Sequence, residues 1–180
     1  MGRLLPAMMG IAIMLVPVSL RATTVAPWDL TMMSLASDLV VRGEVQTLQT
    51  FRESSGRLVT EAVVQVRESL QGDAPETVSV LWPGGELDGQ GQRVPGTPDL
   101  TRGQEVVLFL ARPGPPSLVA RYLPVALAAG VLTVRHLPDR TVLHRDLRGL
   151  AVPDGLDLPP LPATLEELRQ ALRSLREAGR

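Results

Sequence analysis

Cysteine is absent from the 180 residues, and its absence excludes several classes of function. Without a thiol the chain has no disulfide, no cysteine nucleophile, no zinc–thiolate centre and no cysteine-ligated iron–sulfur cluster. A lipoprotein is acylated on a cysteine, so that class is excluded as well. We expect a protein that folds on its apolar core alone, since 44% of its residues are hydrophobic.

Lysine and asparagine are also absent, and charge is nearly balanced, with 18 basic against 19 acidic residues. Every basic residue is arginine, a usage that we attribute to GC-rich codons rather than to phosphate binding. A net charge of −1 gives no electrostatic footprint for nucleic acid or for an anionic membrane surface. We therefore expect neither of them as a partner.

Residues 1–22 have the pattern of a secretory signal peptide. Arg3 supplies the positive start, residues 7–20 form an apolar run, and Ala22 is a small residue suited to cleavage. The run is shorter than the ~20 residues of a membrane-spanning helix, and it contains Pro17. A retained membrane anchor is the alternative interpretation. The pattern predicts a secreted or periplasmic protein that is free of the membrane after cleavage beside Ala22.

The rest of the chain predicts a mainly β protein, because turn residues separate successive segments of strand character. The predicted elements are a short helix over 29–37 with Leu30, Met33 and Leu35 inward, strands over 38–51, 57–70, 77–82, 104–111 and 118–128, a hairpin over 130–146 and a helix over 165–178. No helix is predicted between the strands, which argues against a parallel α/β sheet. We expect an OB-like, Greek-key small β-barrel over residues 23–152.

Four local patterns refine this prediction. Gly43 predicts a bend or bulge in the first strand, and the continuous apolar centre of 104–111 predicts a strand buried on both faces. A Pro-rich linker over 153–163 precedes a C-terminal helical segment, 164–180, where Thr164 and Glu167 form a capping box. One stripe of that helix is apolar and predicts a lid on the barrel; it consists of Leu165, Leu168, Leu172 and Leu175.

The segment 83–103 is the longest irregular piece, rich in Gly and Pro. It lacks the Lys–Ser/Thr of a phosphate-binding loop, and its acids are not at calcium-loop spacing. A flexible connection is one interpretation. Because long loops in compact domains are often functional, a binding site beside it is the other. The candidate binding residues are Trp82, Gly84, Gly85, Asp88 and Arg93.

The two histidines, His136 and His144, flank the turn of the predicted hairpin, with Asp146 nearby. Facing each other across the strands, two imidazoles and a carboxylate would make a zinc site of a hydrolase. Exposed strand residues are the other interpretation. No serine lies in a nucleophile-elbow pattern. We assign no catalytic residue and no cofactor from these patterns.

The stretch "ATTVAPWDLTMMSLASDLVVRGEV", residues 22–45, resembles the start of the netrin-like module of tissue inhibitors of metalloproteinases. In that family a Cys–Thr–Cys–Val–Pro–Pro type arm leads through a short helical stretch into a "(S/A)DLV(I/V)RA" strand of an OB barrel. "VVQVRESLQGDAPETVSVLW" and "LTRGQEVVLFL" are similar to later strands of the module. The chain is also similar to secreted bacterial proteins that share "ADLVVRG", a "PGG" loop and "GEEVVLFL". The resemblance covers roughly residues 22–112.

In those inhibitors the first mature residue is a cysteine whose amino group and carbonyl chelate the protease zinc. Here Ala22 stands in its place, and no disulfide braces the arm. The resemblance implies that Ala22, Thr23, Thr24 and Val25 would contact a protease, with Thr23 in the adjoining specificity pocket. Three hypotheses follow: a secreted non-enzymatic module that binds another extracytoplasmic protein, a metalloprotease inhibitor acting through the arm, or a metal-dependent hydrolase using the two histidines and Asp146.

Overall fold

The computed structural model describes residues 28–114, 121–146 and 159–179, and they form a mainly β fold. The predicted signal peptide, the arm residues Ala22 to Val25 and the first part of the predicted linker lie outside these ranges. In chain order the elements are α1 (Leu30–Leu35), β1 (Leu39–Arg52), β2 (Leu58–Gln71), β3 (Thr77–Pro83), β4 (Gly85–Leu87), β5 (Gln90–Gln92), β6 (Glu105–Ala111), β7 (Arg121–Pro124), a 3₁₀ turn (Leu127–Gly130), β8 (Val131–His136), β9 (Thr141–Arg145) and α2 (Leu165–Ala178).

Five of the strands close into a ring. Their order is β1–β2–β3–β7–β6, and β6 pairs back with β1. All of these pairings are antiparallel except β3–β7, which is parallel and joins only Ser79 to Arg121 and Val80 to Tyr122. Strand β8 pairs with β6, and β9 continues from β8. Strands β4 and β5 form a separate two-stranded sheet.

Strand β1 closes the ring because it pairs with β2 on one edge and with β6 on the other. Its register against β2 shifts at three places, one of them between Arg42 and Gly43. At Gly43 a Cβ atom would lie 2.5 Å from the Gln65 carbonyl oxygen and 2.7 Å from Val64 Cγ1. The predicted bend at Gly43 is confirmed, since only glycine allows the two strands this close approach.

The fold has two apolar clusters, on the two sides of β6. Val106, Leu108 and Leu110 point into the ring, whereas Val107 and Phe109 point outward. The prediction that this strand is buried on both faces is confirmed. The cluster inside the ring consists of Leu39, Val41, Val45, Ala62, Val64, Val78, Val80, Trp82, Leu100, Val106, Leu108, Leu110, Tyr122 and Val131.

The second cluster lies on the outside of the ring, where both helices cover it. α1 begins at its N-cap Asp29, whose carboxylate accepts a hydrogen bond from the Met32 backbone N–H at 2.7 Å. Met33 is fully buried, but Leu35 is 83% exposed. The prediction that Leu35 points inward is wrong, because two residues along a helix turn a side chain about 200° from Met33.

Helix α2 covers the other part of the second cluster. The capping box of Thr164 and Glu167 is confirmed, and Leu165, Leu168 and Leu172 are buried. The lid therefore covers the outer surface near β8 and β9 rather than an end of the ring. In the part of the chain that the structure describes, no helix is both long and apolar enough to cross a membrane.

The last residues of the predicted linker pair with β9. The Leu143 backbone N–H donates to the Ala163 carbonyl at 2.8 Å, and Val142 forms a bridge with Thr164. Arg145 Nη2 donates to the Pro159 carbonyl at 3.1 Å. Residues 159–163 therefore protect the outer edge of β9 and lead the chain into α2.

Candidate functional site

The predicted loop 83–103 begins with an ordered hairpin, which corrects the prediction of a wholly irregular segment. Strands β4 and β5 pair from Gly85–Gln92 to Leu87–Gln90 around a two-residue turn. The turn residues Asp88 and Gly89 have φ values of 52° and 72°. An Asp–Gly pair with both φ angles positive is a favoured hairpin turn, and "LDGQ" was the sequence signal for it.

The hairpin is fixed to the ends of β1 and β2. The Thr60 hydroxyl donates to the Gly84 carbonyl at 2.7 Å and lies 3.0 Å from the Thr50 hydroxyl. A Cβ atom on Gly85 would overlap both hydroxyls. Gly84 and Gly85 are therefore structural residues, which let the chain turn tightly over the buried Thr60 and the partly buried Thr50. Trp82 is only 5% exposed and belongs to the core inside the ring.

The second half of the segment crosses one end of the ring. The Ala128 N–H donates to the Gly96 carbonyl at 2.9 Å, and Leu100 inserts into the core, while Arg93 stays exposed. A polar cleft of about 400 Å³ separates residues 98–101 from the β8–β9 hairpin. Of the predicted binding residues, Asp88 and Arg93 present exposed side chains. Trp82, Gly85 and Arg93 line one open cleft of about 620 Å³, whereas Gly84 and Asp88 do not line it.

The two histidines lie on opposite faces of the β8–β9 hairpin. Thr133 pairs with His144 and His136 with Thr141, three positions apart along β8. Side chains alternate faces along a strand, so the prediction that the imidazoles face each other is wrong. Within the described ranges, no group of three or more His, Cys, Asp or Glu side chains has a geometry that holds a metal ion.

His136 belongs instead to a chain of hydrogen bonds and ion pairs. Its Nε2 lies 2.6 Å from Glu105 Oε2, and Arg42 Nη1 donates to Glu105 Oε1 at 2.8 Å. Arg42 also bonds Glu68 at 3.1 Å, and Glu68 accepts two further bonds from Arg169 of α2. This chain fixes the helix to β1, β2 and β6. Its groups are already engaged with one another, as expected of a structural network.

Glu68 is the centre of that network. The hydrogen bonds from Arg169, reinforced by the charges of Arg169 and Arg42, hold the pKa of Glu68 below its ordinary value of 4.5. Partial burial opposes this shift without reversing it. The same hydrogen bonds raise the pKa of Arg169. Both groups are charged at neutral pH, and the pair holds the first turns of α2 against the sheet.

Opposite the helices, the ring has an outer surface that no described element covers. We call it the β2–β3–β7 face. The strand register places Phe51 beside Val59 and Val59 beside Pro83 in one row. Glu61 lies beside Leu81 in the next row. Its residues are Phe51, Val59, Glu61, Val63, Ser79, Leu81, Pro83, Arg121 and Leu123.

The face contains a groove of about 430 Å³ with an apolar floor. Leu123 is 42% exposed, Pro83 is exposed and Leu81 is partly exposed, whereas Val59, at 8% exposure, lies in the floor of the groove. The groove is lined by Glu53, Arg57, Val59, Leu81, Trp82, Pro83, Pro113, Arg121 and Leu123. An accessible apolar groove with a polar rim is the surface type that binds another molecule.

The alternation within β2 was the available signal for this face. Val59 and Val63 fall on the side of the strand opposite Leu58, Ala62 and Val64, so both sides carry apolar residues. A strand with one solvated face alternates apolar and polar residues cleanly. The alternation within β2 does not predict that Leu81 and Leu123 belong to this face. They lie near Val59 because of strand pairings between segments that are distant in sequence.

The arm residues Ala22, Thr23, Thr24 and Val25 lie outside the described residues. The first described residue, Trp28, is partly buried and packs against the second cluster. A comparison with models of known protein families found no match for this chain, and neither did a comparison with curated proteins.

Proposed function

We propose that this chain is a non-enzymatic binding module, secreted or periplasmic, that recognises another extracytoplasmic protein through the β2–β3–β7 face. The observation that carries the proposal is the apolar groove on that face. The corresponding outer surface beside β6 and β8 is covered by two helices, whereas Leu81 and Leu123 are left accessible. Exposed apolar grooves on a soluble surface are a recurrent mark of partner binding.

We also propose that the ring is an OB-like barrel. Two features support this assignment. The long, bent β1 pairs with both its successor β2 and the later β6, and the seam between β3 and β7 is held by only two residue pairs. A five-stranded, partly open barrel has these properties, and the outer surface of its second and third strands is where such barrels bind ligands.

Capture of a partner tests the function. The purified protein is immobilised and exposed to the extracytoplasmic fraction of the source organism, beside two variants. Leu123→Asp places a charge in the groove. Leu137→Asp is the matched control, because Leu137 is 44% exposed and lies outside the groove. We expect a protein that the native chain and the control retain and that Leu123→Asp releases. Retention of no protein by the native chain would contradict the proposal.

Inhibition of a metalloprotease through residues 22–25 stays a second proposal, supported by the resemblance of the arm and first strand. It needs a free amino group at Ala22 or next to it. Sequencing the amino terminus of the mature protein tests this directly. A mature chain that begins well before Ala22, or one that leaves protease activity unchanged, would overturn inhibition without affecting the groove.

A further inference from the structure

We propose that the groove on the β2–β3–β7 face binds an extended segment of a partner chain, apolar at its centre and flanked by carboxylates. The inference rests on the proposed function and specifies the partner's chemistry. Three properties of the groove carry it: its dimensions, an unpaired stretch of β3, and the distribution of charge on its rim.

The dimensions suit an extended chain. The groove runs along the strands from Arg57, beside the β1–β2 turn, past Val59 to Arg121. Arg121 lies opposite Ser79 of β3, and Ser79 lies opposite Val63 of β2. Along the strand direction the two arginines are therefore six residues apart, the separation between positions 57 and 63. At about 3.3 Å per residue that separation corresponds to roughly 20 Å. An extended segment of about six residues has the same length.

The edge of β3 offers backbone groups to such a segment. Strand β7 pairs with β3 only at Ser79 and Val80, and then leaves it to pair with β6 through Leu123 and Pro124. Along Leu81 to Pro83, β3 therefore has no strand partner on that side among the described residues. Pro83 has no backbone N–H, so an incoming strand can form main-chain hydrogen bonds only with the remaining N–H and C=O groups of this short edge, while its alternate side chains enter the apolar groove.

The charged residues on the rim of the groove determine which charge the flanking residues of the partner segment should carry. Arg57 and Arg121 are 70% and 52% exposed at their side chains, whereas Glu53 and Glu61 are 37% and 23% exposed. The ion pairs are long, at 3.4 Å for Arg57–Glu53 and 3.9 Å for Arg121–Glu61. The guanidinium groups therefore extend further into solvent than the carboxylates, and they complement a partner that carries Asp or Glu on either side of its apolar residues.

Each rim carries two arginines and two glutamates, so in a twofold pair of copies the rim charges could be matched as well as opposed. The rim charge therefore does not exclude a second copy, and self-association is an outcome that the test must detect.

A displayed library of random linear peptides tests the proposal with defined probes. The library is selected on the native protein, and the enriched peptides are synthesised and titrated against native protein, Leu123→Asp, Leu137→Asp and the double variant Arg57→Glu/Arg121→Glu. Thermal unfolding of each variant verifies that it is folded. If Leu123→Asp fails to fold, Leu123→Ala takes its place.

We expect enriched sequences with alternating apolar residues and acidic flanks. Their affinity falls about tenfold or more for Leu123→Asp and stays within about twofold for Leu137→Asp. A second selection on the arginine double variant yields basic flanks. No enrichment, an unchanged affinity for Leu123→Asp, or flanks that do not follow the rim charge would overturn the proposal. Sedimentation that shows Leu123-dependent dimers would also overturn it, in favour of a second copy.

The outcomes separate this proposal from the function on which it rests. A native partner that depends on Leu123 while no linear peptide is enriched means that the face binds a folded surface, so only the peptide proposal fails. If the native chain retains no partner and no peptide is enriched, both proposals fail.

Discussion

Glu68 shows how one carboxylate joins three elements of this fold. It receives hydrogen bonds from Arg169 Nε at 2.7 Å and Nη2 at 2.8 Å, and from Arg42 Nε at 3.1 Å. The three side chains keep between 23% and 30% of their surface exposed, so solvent screens the interaction only in part. The sequence shows Glu68 only as an acid in a strand, since its partners lie 26 and 101 residues away.

Replacing Glu68 with Gln tests the energetic role of this carboxylate. We expect a loss of about 1–2 kcal/mol in unfolding free energy at pH 7, because two charged hydrogen-bonded pairs are removed. The folded-state pKa of Glu68 is lowered, so its stabilisation is present above the ordinary pKa of 4.5 and is lost as the pH falls below it. Urea unfolding of native protein and variant at pH 7 and pH 3 measures both effects.

The matched control for that substitution is Glu166→Gln. Glu166 also bonds Arg169, at 3.1 Å, but its side chain is 70% exposed. We expect the smaller effect of a solvated ion pair, below about 0.5 kcal/mol. Equal losses for the two variants, or a Glu68→Gln loss that is the same at both pH values, would show that the network does not act through the charge of Glu68.

Gly43 is a position at which the pairing of β1 with β2 depends on the absence of a side chain. Gly43→Ala places a Cβ atom 2.5 Å from the Gln65 carbonyl oxygen, so the β1–β2 register must shift. We expect a loss of about 1–3 kcal/mol, typical of inserting an atom into a packed interior. Gly91→Ala is the control, because no atom lies within 4 Å of its Cβ position. Thermal and urea unfolding compare the two, and a Gly43→Ala protein as stable as the control would contradict this account.

At the scale of elements, the sequence predicts best those helices and strands that are specified by residues close together in the chain. α2 follows from its capping box and from leucines at helical spacing, both within a few residues of one another. The segment 83–103 shows that composition alone can mislead. Its Gly and Pro content indicated a loop, but the turn residues Asp88 and Gly89 form a hairpin there. Leu35 is a second incorrect prediction, because the residue that follows the buried pair Met33–Ser34 already faces solvent.

The leucine stripe of α2 gives a prediction at this scale. Leu168 is fully buried in the second cluster, whereas Leu175 is partly exposed. We expect Leu168→Ala to cost about 2–5 kcal/mol, because it leaves a cavity between the helix and the sheet. Leu175→Ala, the control, removes the same atoms from a site open to solvent and should cost less than about half as much. Chemical unfolding monitored by circular dichroism measures both; equal losses would mean that α2 does not pack through this stripe.

At the scale of the whole molecule, the fold separates two outer surfaces of one ring. Beside β6 and β8 the surface is apolar and both helices cover it; across β2, β3 and β7 it carries an open groove. The mainly β class was predictable, because the strands are visible as segments. The candidate site was not, since Val59, Leu81 and Leu123 become neighbours only through pairings of β3 with both β2 and β7.

The most direct test of the central claim is the affinity of the captured partner for three proteins: the native chain, Leu123→Asp and Leu137→Asp. Leu123 and Leu137 are 42% and 44% exposed, so the two variants add the same charge at equally accessible sites. If the β2–β3–β7 face is the binding surface, Leu123→Asp weakens binding about tenfold or more and Leu137→Asp leaves it within about twofold. Equal affinities for the two variants would contradict it.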